Sequence, residues 1–594
     1  LRVFILDRIA ATAEDADMAH LIDRVAHTAA GRMVILTGTA LSIGAAASLA
    51  AIALVEMVDA LNTWLLVAPR ARVQWEQQHW LVVWATLLVP TIGGLLVGLA
   101  HRYLSPARRP LGPPDVIRAV QFNAPLPDAR SGLVSTATAA LSLGAGASVG
   151  QYGPMVYLGA LIGGAARRLR LQVPHLPAIA ISCGVAAAIA TAFNAPIAGL
   201  VFAHEVVLRH YATQAFAPVT VASATGYVIA NVVFDRPALF LVSFDGVAHG
   251  YEFALFAALG LVVALAAVGF MRLLLRTGPA LARLVAQPAL RPALAGLVLG
   301  VTALALPDVL GIGTEALRFA TIEGAFGRVE LMVLIAAKVG LTALCIGAGF
   351  SGGVFSPSLL IGSLLGALFW MLVAGVGGVA TSGVAVYAVA GMMAFASAVI
   401  GAPLTCILIV FELTRNYDVT IAAMVAVVFS NLVSHRMFGR SLFDVQLAGR
   451  GFDFSLGRDR ARLAALPVRE LVSDAAVSAR ADEAPQAVAA RLAQSGWRQA
   501  FVTDRQGRLV GVFSPGAAAT APTVGAAAVP AGMVFYDDTD LATAMEMLRD
   551  FIGDAVPVVA RADGRFLGAV SESAVVAAWV DQSRSLREEE NASL

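Results

Sequence analysis

The chain has 594 residues, of which 58% are hydrophobic and only 14% charged, with a formal net charge of +1. That balance excludes an ordinary soluble domain, whose helices would need polar faces. The near-zero charge offers no electrostatic footprint for a nucleic-acid partner.

Residues 1–32 mix Arg2, Arg8, Arg24 and Arg32 with acidic and apolar residues. This predicts an interfacial, amphipathic N-terminal helix rather than a cleavable signal peptide. Apolar runs then recur to about residue 434, among them Met33–Met57, Leu81–Leu99, Phe253–Met271 and Met332–Ile346. Several approach the roughly 20 residues that span a lipid bilayer, and others are shorter or broken. The 55 glycines suit close helix packing in lipid. Cys183, Cys345 and Cys406 all lie in apolar sequence and are odd in number, so buried, inert thiols are expected and no disulfide framework.

Two pentapeptides break these runs, Gly150-Gln151-Tyr152-Gly153-Pro154 and Gly353-Val354-Phe355-Ser356-Pro357. A helix that begins inside a membrane presents unpaired N–H groups and the positive end of its dipole. Broken helices in corresponding positions of two halves point to a transporter's binding site, and inward-facing N–H groups favour an anion.

An internal repeat accompanies them. Asn194-Ala195-Pro196 leads to Glu205, and Gly401-Ala402-Pro403 leads to Glu412; the Ala-Pro pairs and the acids each lie 207 positions apart. The halves are placed at about 33–230 and 250–447. Glu205 and Glu412, as intramembrane acids, are functional candidates, but their equivalent positions favour paired structural roles near helix ends over proton transfer. His204-Glu205 with His210 lacks zinc-protease spacing, because position 208 is Leu208, so no metal site is expected. Lys338, the only lysine, either adds positive potential near a pore or sits in a structural ion pair.

At residue 448 the composition changes. A polar, arginine-rich linker is predicted over 448–466, followed by two small α/β modules at 467–517 and 518–594. Ala500–Gly511 and Val556–Gly568 each read as strand, turn, strand. Arginines near both ends, including Arg458, Arg460 and Arg462, place both termini in the cytoplasm, which requires an even number of crossings.

From residue 33 onward the chain resembles the CLC family of chloride channels and chloride/proton antiporters, followed by a tandem CBS-domain pair. The resemblance rests on Gly352–Pro357, on Ala192-Phe193-Asn194-Ala195-Pro196, and on Gly401–Thr405 through Glu412–Tyr417. It implies an all-α polytopic membrane domain with inverted repeats and broken helices, ahead of a small α/β CBS pair. It further implies a homodimer in the membrane, with a separate pathway for chloride or another small anion in each subunit. By resemblance, Gly353, Val354 and Phe355 bind a central anion, and Tyr152 and Gly153 an outer one.

The departures from the family decide the mode of transport. In the family's Gly-Arg-Glu-Gly-Pro motif the glutamate gates the pathway and carries protons; here Gln151 and Tyr152 replace Arg-Glu. A phenol, with an ordinary pKa of about 10, cannot stand in for a titrating carboxylate. The internal proton-accepting glutamate corresponds to Val206. The anion-binding serine aligns with Leu111 in Pro110–Pro114, and the central tyrosine with Phe443 in Gly439–Phe443. Losing both hydroxyls costs about 1–3 kcal/mol per hydrogen bond unless another donor replaces them. Tyr152 is then either that donor or a bulky plug, and Tyr152→Phe separates the two. In the CBS pair, the positions where the family's ribose-binding aspartates fall hold Ala517 and Ala574, so adenine nucleotide is not expected as a cofactor. A passive anion channel in a bacterial inner membrane is the expected function. The alternatives are an antiporter with an atypical proton route through His204 or Glu205, and an anion-binding sensor.

Overall fold

A computed structural model describes residues 29–69, 72, 79–169, 173–235, 246–376, 379, 381–517 and 521–591. Most of the interfacial helix expected over 1–32 lies outside them. The chain divides into two compact units, one ending at Gln446 and one running from Leu447 to Asn591.

The first unit is helical throughout. Its helices are α1 (Ala29–Trp64), α2 (His79–Tyr103), α3 (Pro113–Gln121), α4 (Ala129–Gly144), α5 (Tyr152–Gly164), α6 (Leu176–Phe193), α7 (Pro196–Phe202) and α8 (Thr213–Tyr227). The second half holds α9 (Glu252–Leu284), α10 (Arg291–Ala305), α11 (Thr314–Phe319), α12 (Arg328–Ala348) and α13 (Phe355–Ala374). It ends with α14 (Val384–Ile400), α15 (Pro403–Thr414), α16 (Tyr417–Phe438) and α17 (Leu442–Ala448). Among the described residues, nine helical stretches are long and apolar enough to cross a membrane. Two π-helical turns, Ala203–Leu208 and Val228–Val233, extend α7 and α8.

The repeat is visible in packing as well as in sequence. A Cβ on Gly159 of α5 would lie 2.3 Å from the Gly184 carbonyl oxygen of α6. The equivalent crossing of α13 on α14 is as tight, with 2.5 Å from a Cβ on Gly362 to the Gly391 oxygen. In lipid, where apolar burial drives nothing, such backbone contact supplies the packing. All three cysteines are free and buried.

The second unit contains two alike three-stranded sheets. In one, β1 (Ser478–Arg480) runs parallel to β2 (Ala500–Thr503), which pairs antiparallel with β3 (Leu509–Phe513). In the other, β4 (Phe535–Tyr536), β5 (Ala555–Val559) and β6 (Phe566–Ser571) repeat that order. The helices are α18 (Arg458–Ala464), α19 (Pro485–Ser495), α20 (Val524–Ala527), α21 (Leu541–Leu548) and α22 (Glu572–Asn591).

The segment read as a polar linker is partly built into this unit. Leu463 of α18 joins the core around Val556, Val558 and Val570. Two arginines of α18 clasp one carboxylate of α22, with Arg458 and Arg462 at 2.6 and 2.8 Å from Glu589. All three side chains are nearly buried, so the arginine content reflects internal pairing rather than solvation. Glu589→Ala removes the carboxylate shared by two buried cations, while Arg458 keeps Glu590 at 3.0 Å, and should cost about 3–5 kcal/mol. The full-length variant should show that loss as an earlier thermal transition of the C-terminal unit.

Candidate functional site

The two pentapeptides meet. Gly150 N–H donates to Gly353 O at 2.7 Å, and Gly353 N–H donates to Gly150 O at 2.6 Å, a two-bond antiparallel bridge between the halves. Immediately after it, α5 begins at Tyr152 and α13 at Phe355. The bridge requires glycine: a Cβ on Gly353 would sit 2.8 Å from Gly153 N, and one on Gly153 would sit 2.9 Å from Gly353 Cα. Gly353, expected among the anion ligands, therefore uses its N–H in the clamp. The first-turn amides of Tyr152, Gly153, Val354 and Phe355 have no carbonyl of their own helix to bond. Pro154 and Pro357 carry no N–H, which ends each donor set after the first turn. Two dipole-positive helix ends are thus held side by side.

A third helix start lies next to them, since a Cβ on Gly153 would be 3.7 Å from Pro113 Cδ at the head of α3. Leu111 precedes it, buried, with its N–H bonded to Ser135 Oγ at 2.9 Å. This end already carries a carboxylate: Asp115 accepts from Gly112 N–H at 3.1 Å and pairs with Arg109 at 2.5 Å.

Three aromatic rings fill the space over the clamp. Tyr152 stacks on Phe193 at 4.1 Å and meets Phe355 edge-on at 5.4 Å, and Phe193 meets Phe355 at 5.4 Å. All three are at most 6% exposed. The Tyr152 hydroxyl faces the Gln151 side chain. Phe193, present in the sequence motif without an expected role, sits at the C-terminal end of α6, before the left-handed turn at Asn194 (φ +56°).

A large cavity of about 1040 Å³ reaches Phe193, Gln151, Asn194 and Glu412. A smaller one of about 430 Å³ is lined by His204, Glu205, Val206, Phe443 and Leu404 among others. They lie at opposite ends of the pair formed by α15 and by α7 with its π turn. Pro196 and Glu412 are at the large-cavity end, and Val206 and Leu404 at the other. The 12 residues of α15 make this separation about 18 Å.

The same pair explains the two glutamates. Glu205 accepts from Leu404 N–H and Thr405 N–H, both at 2.9 Å, and from the Thr405 hydroxyl at 2.6 Å. Glu412 accepts from Ile197 N–H and Ala198 N–H, both at 2.8 Å. Each repeat thus caps the Ala-Pro helix of the other. Glu412→Ala leaves two helix N–H groups without their acceptor and should cost about 1–3 kcal/mol for each. Glu412→Gln keeps one acceptor oxygen and should lose less. Thermal unfolding in detergent would rank the two.

Val206 is buried in the π turn and Phe443 is 6% exposed, both on the small cavity. Arg209 bonds Asp444, the residue after Phe443, at 2.5 Å and so fixes α17 beside this cavity. Lys338 is fully buried and donates to Val309 O at 2.9 Å and Gly311 O at 2.8 Å. It braces a loop on the wall of the large cavity through carbonyl acceptors, a role that neither alternative, the pore charge nor the ion pair, had named. Gly311 N–H in turn donates to Gly146 O at 2.8 Å, tying that loop to the approach of the first pentapeptide.

Residues 93–435 match the family model for voltage gated chloride channels, and 532–581 match that for a CBS domain. A ClcB-like chloride channel protein of Ralstonia nicotianae is 34% identical over 421 residues, covering 68% of this chain and 95% of that protein. A slow cyanobacterial chloride/proton antiporter shares the fold with a TM-score of 0.62 at 24% identity, over 70% of this chain and 97% of the other. A eukaryotic CLC transporter does so at 0.57 and 20% identity, over 91% and 98%. The chain belongs to the CLC family, with a CBS domain at its C-terminal end. It is an integral membrane protein of anion-transporting type.

Proposed function

We propose that this protein is a passive channel for chloride and similar small anions, without stoichiometric proton coupling. The observation that carries the reading is the pairing of Tyr152 and Val206 at the two proton-transfer positions with the engagement of Glu205 and Glu412 as helix caps. A phenol and an isopropyl group offer no carboxylate to load and unload, and a carboxylate bound by two N–H groups is held in place.

The anion is held centrally by the amides of Val354 and Phe355 and farther out by those of Tyr152 and Gly153. These dipoles stabilise charge without a titrating group. Gly353 contributes through the clamp. Leu111 and Phe443 withhold the two hydroxyls of the family's site, which leaves backbone donors to set selectivity among small anions. The Tyr152 ring, stacked on Phe193, acts as a plug that swings aside, in preference to a hydroxyl donor. The working protein is a homodimer in the bacterial inner membrane with both termini cytoplasmic, each subunit holding its own pathway.

In planar bilayers with unequal chloride and unequal pH, the reversal potential of a passive channel stays at the chloride equilibrium potential as pH is varied on one side. A reversal potential that moves with the proton gradient would instead support coupled exchange. Retained chloride binding with no current would support a sensor.

A further inference from the structure

The connector from α12 to α13 is fastened residue by residue before its amides reach the anion. Gly94 of α2 meets the Phe350 ring, where a Cβ would stand 2.8 Å from Phe350 Cζ. Ser351 is 1% exposed and makes three polar contacts with the first half of the chain. Its N–H donates to Ser142 Oγ at 3.1 Å, its Oγ lies 2.8 Å from Thr138 Oγ1, and His101 Nε2 lies 2.7 Å from that same Oγ. Gly352 packs so tightly that a Cβ would sit 2.5 Å from Val149 Cβ, and Gly353 then enters the clamp. The amides of Val354 and Phe355 come next.

The hydrogens of this cluster fall into one order. Thr138 Oγ1 lies 2.8 Å from Val134 O and 3.0 Å from Ser135 O, and a carbonyl only accepts, so the Thr138 hydrogen points to those carbonyls. The Ser351 O–H then donates to Thr138, and His101 donates to Ser351 through Nε2–H. Nδ1 is left as a lone pair, buried with no hydrogen-bond partner among the described residues. The reverse order would bury an unpaired N–H instead, the rarer defect among buried backbone groups. His101 is thus the donor at the head of the chain.

We propose that His101 is a positioning residue for the anion site: its donation to Ser351 fixes the connector, so that the amides of Val354 and Phe355 stand in place before an anion arrives. Donors held in place in advance cost little reordering on binding. The helix α4 supports the neighbouring helix start in the same way, through hydroxyls on one face at Ser131, Ser135, Thr138 and Ser142. Ser131 Oγ accepts from Ala107 N–H at 3.2 Å and Ser135 Oγ from Leu111 N–H at 2.9 Å, both on the approach to α3. His101 adds α2 to this support at the connector that leads to the central amides. The inference rests on the reading that Val354 and Phe355 hold the central anion.

The test is chloride binding to the purified full-length protein by calorimetry, with melting temperatures in chloride-free buffer to show that each variant is folded. In His101→Gln the amide nitrogen stands where Nε2 does and still donates to Ser351. In His101→Asn it falls short, near the place of Nδ1. His101→Asn should weaken chloride binding about tenfold, the scale of one lost buried hydrogen bond, while His101→Gln stays close to wild type. Ser351→Ala should show the same loss, and His101→Asn should add little to it, as expected of two residues that act through one bond. An unchanged affinity in folded His101→Asn, or equal losses in the two His101 variants, would overturn the inference. If His101→Asn does not fold, an unchanged affinity in Ser351→Ala overturns it instead. The anion reading of Val354 and Phe355 survives all of these results; it fails, and the inference with it, if the wild type binds no chloride.

Discussion

Tyr152→Ala should raise chloride conductance about tenfold without introducing proton movement. The ring makes two aromatic contacts, to Phe193, which lines the large cavity, and to Phe355 at the start of α13. Each such pair contributes about 0.5–1.5 kcal/mol, so losing both weakens the closed arrangement by about 1–3 kcal/mol, roughly 5- to 150-fold, and tenfold lies toward the lower end of that range. Tyr152→Phe keeps both ring contacts and removes only a hydroxyl that faces Gln151. Its chloride affinity and conductance should therefore stay close to wild type. A large drop in affinity in Tyr152→Phe would restore the hydroxyl as an anion donor. Single-channel or liposome efflux recordings of the two variants side by side separate plug from donor.

Gly353→Ala should abolish transport, and its effect should exceed that of any other single methyl in the pathway. The added carbon meets Gly153 N at 2.8 Å and Gly153 Cα at 3.0 Å, both backbone atoms that cannot rotate away. Relief requires separating the two helix starts, which breaks the two-bond bridge with Gly150. Overpacking of this kind costs about 1–3 kcal/mol, and parting the bridge also disperses the dipoles that stabilise the anion. Loss of chloride efflux together with a lower melting temperature is the expected pair of results. Val354→Ala is the control, because it leaves the amide and removes only side-chain carbons; chloride binding should persist.

The half-helix starts were legible in the sequence because glycine and proline are conspicuous in an apolar run, and their chemistry is local. The repeat was legible for a similar reason: the common 207-residue offset of Ala195/Ala402 and Glu205/Glu412 needs no three-dimensional information. That offset hinted at paired roles for the glutamates, yet not at their partners. Those partners are backbone amides of the opposite half, which no side-chain pattern announces. The Gly150–Gly353 bridge was hidden for the same reason, and it changes Gly353 from an expected ligand into a clamp. Phe193 received no role because one aromatic in an apolar helix has no distinguishing period. Lys338 stayed between a pore charge and half of an ion pair because carbonyl acceptors leave no trace in composition. In the C-terminal unit the strand-turn-strand segments follow from alternation. Arg458 and Arg462 were assigned to a polar linker because their common partner, Glu589, lies more than a hundred residues away.

Passive anion conduction through a pathway with no proton carrier is tested most directly in liposomes loaded with chloride and diluted into low-chloride buffer, with internal pH followed by a trapped dye. Chloride should leave, and the internal pH should hold steady when the electrical potential is clamped with potassium and valinomycin. Protons driven against their gradient in fixed ratio to chloride would contradict the account.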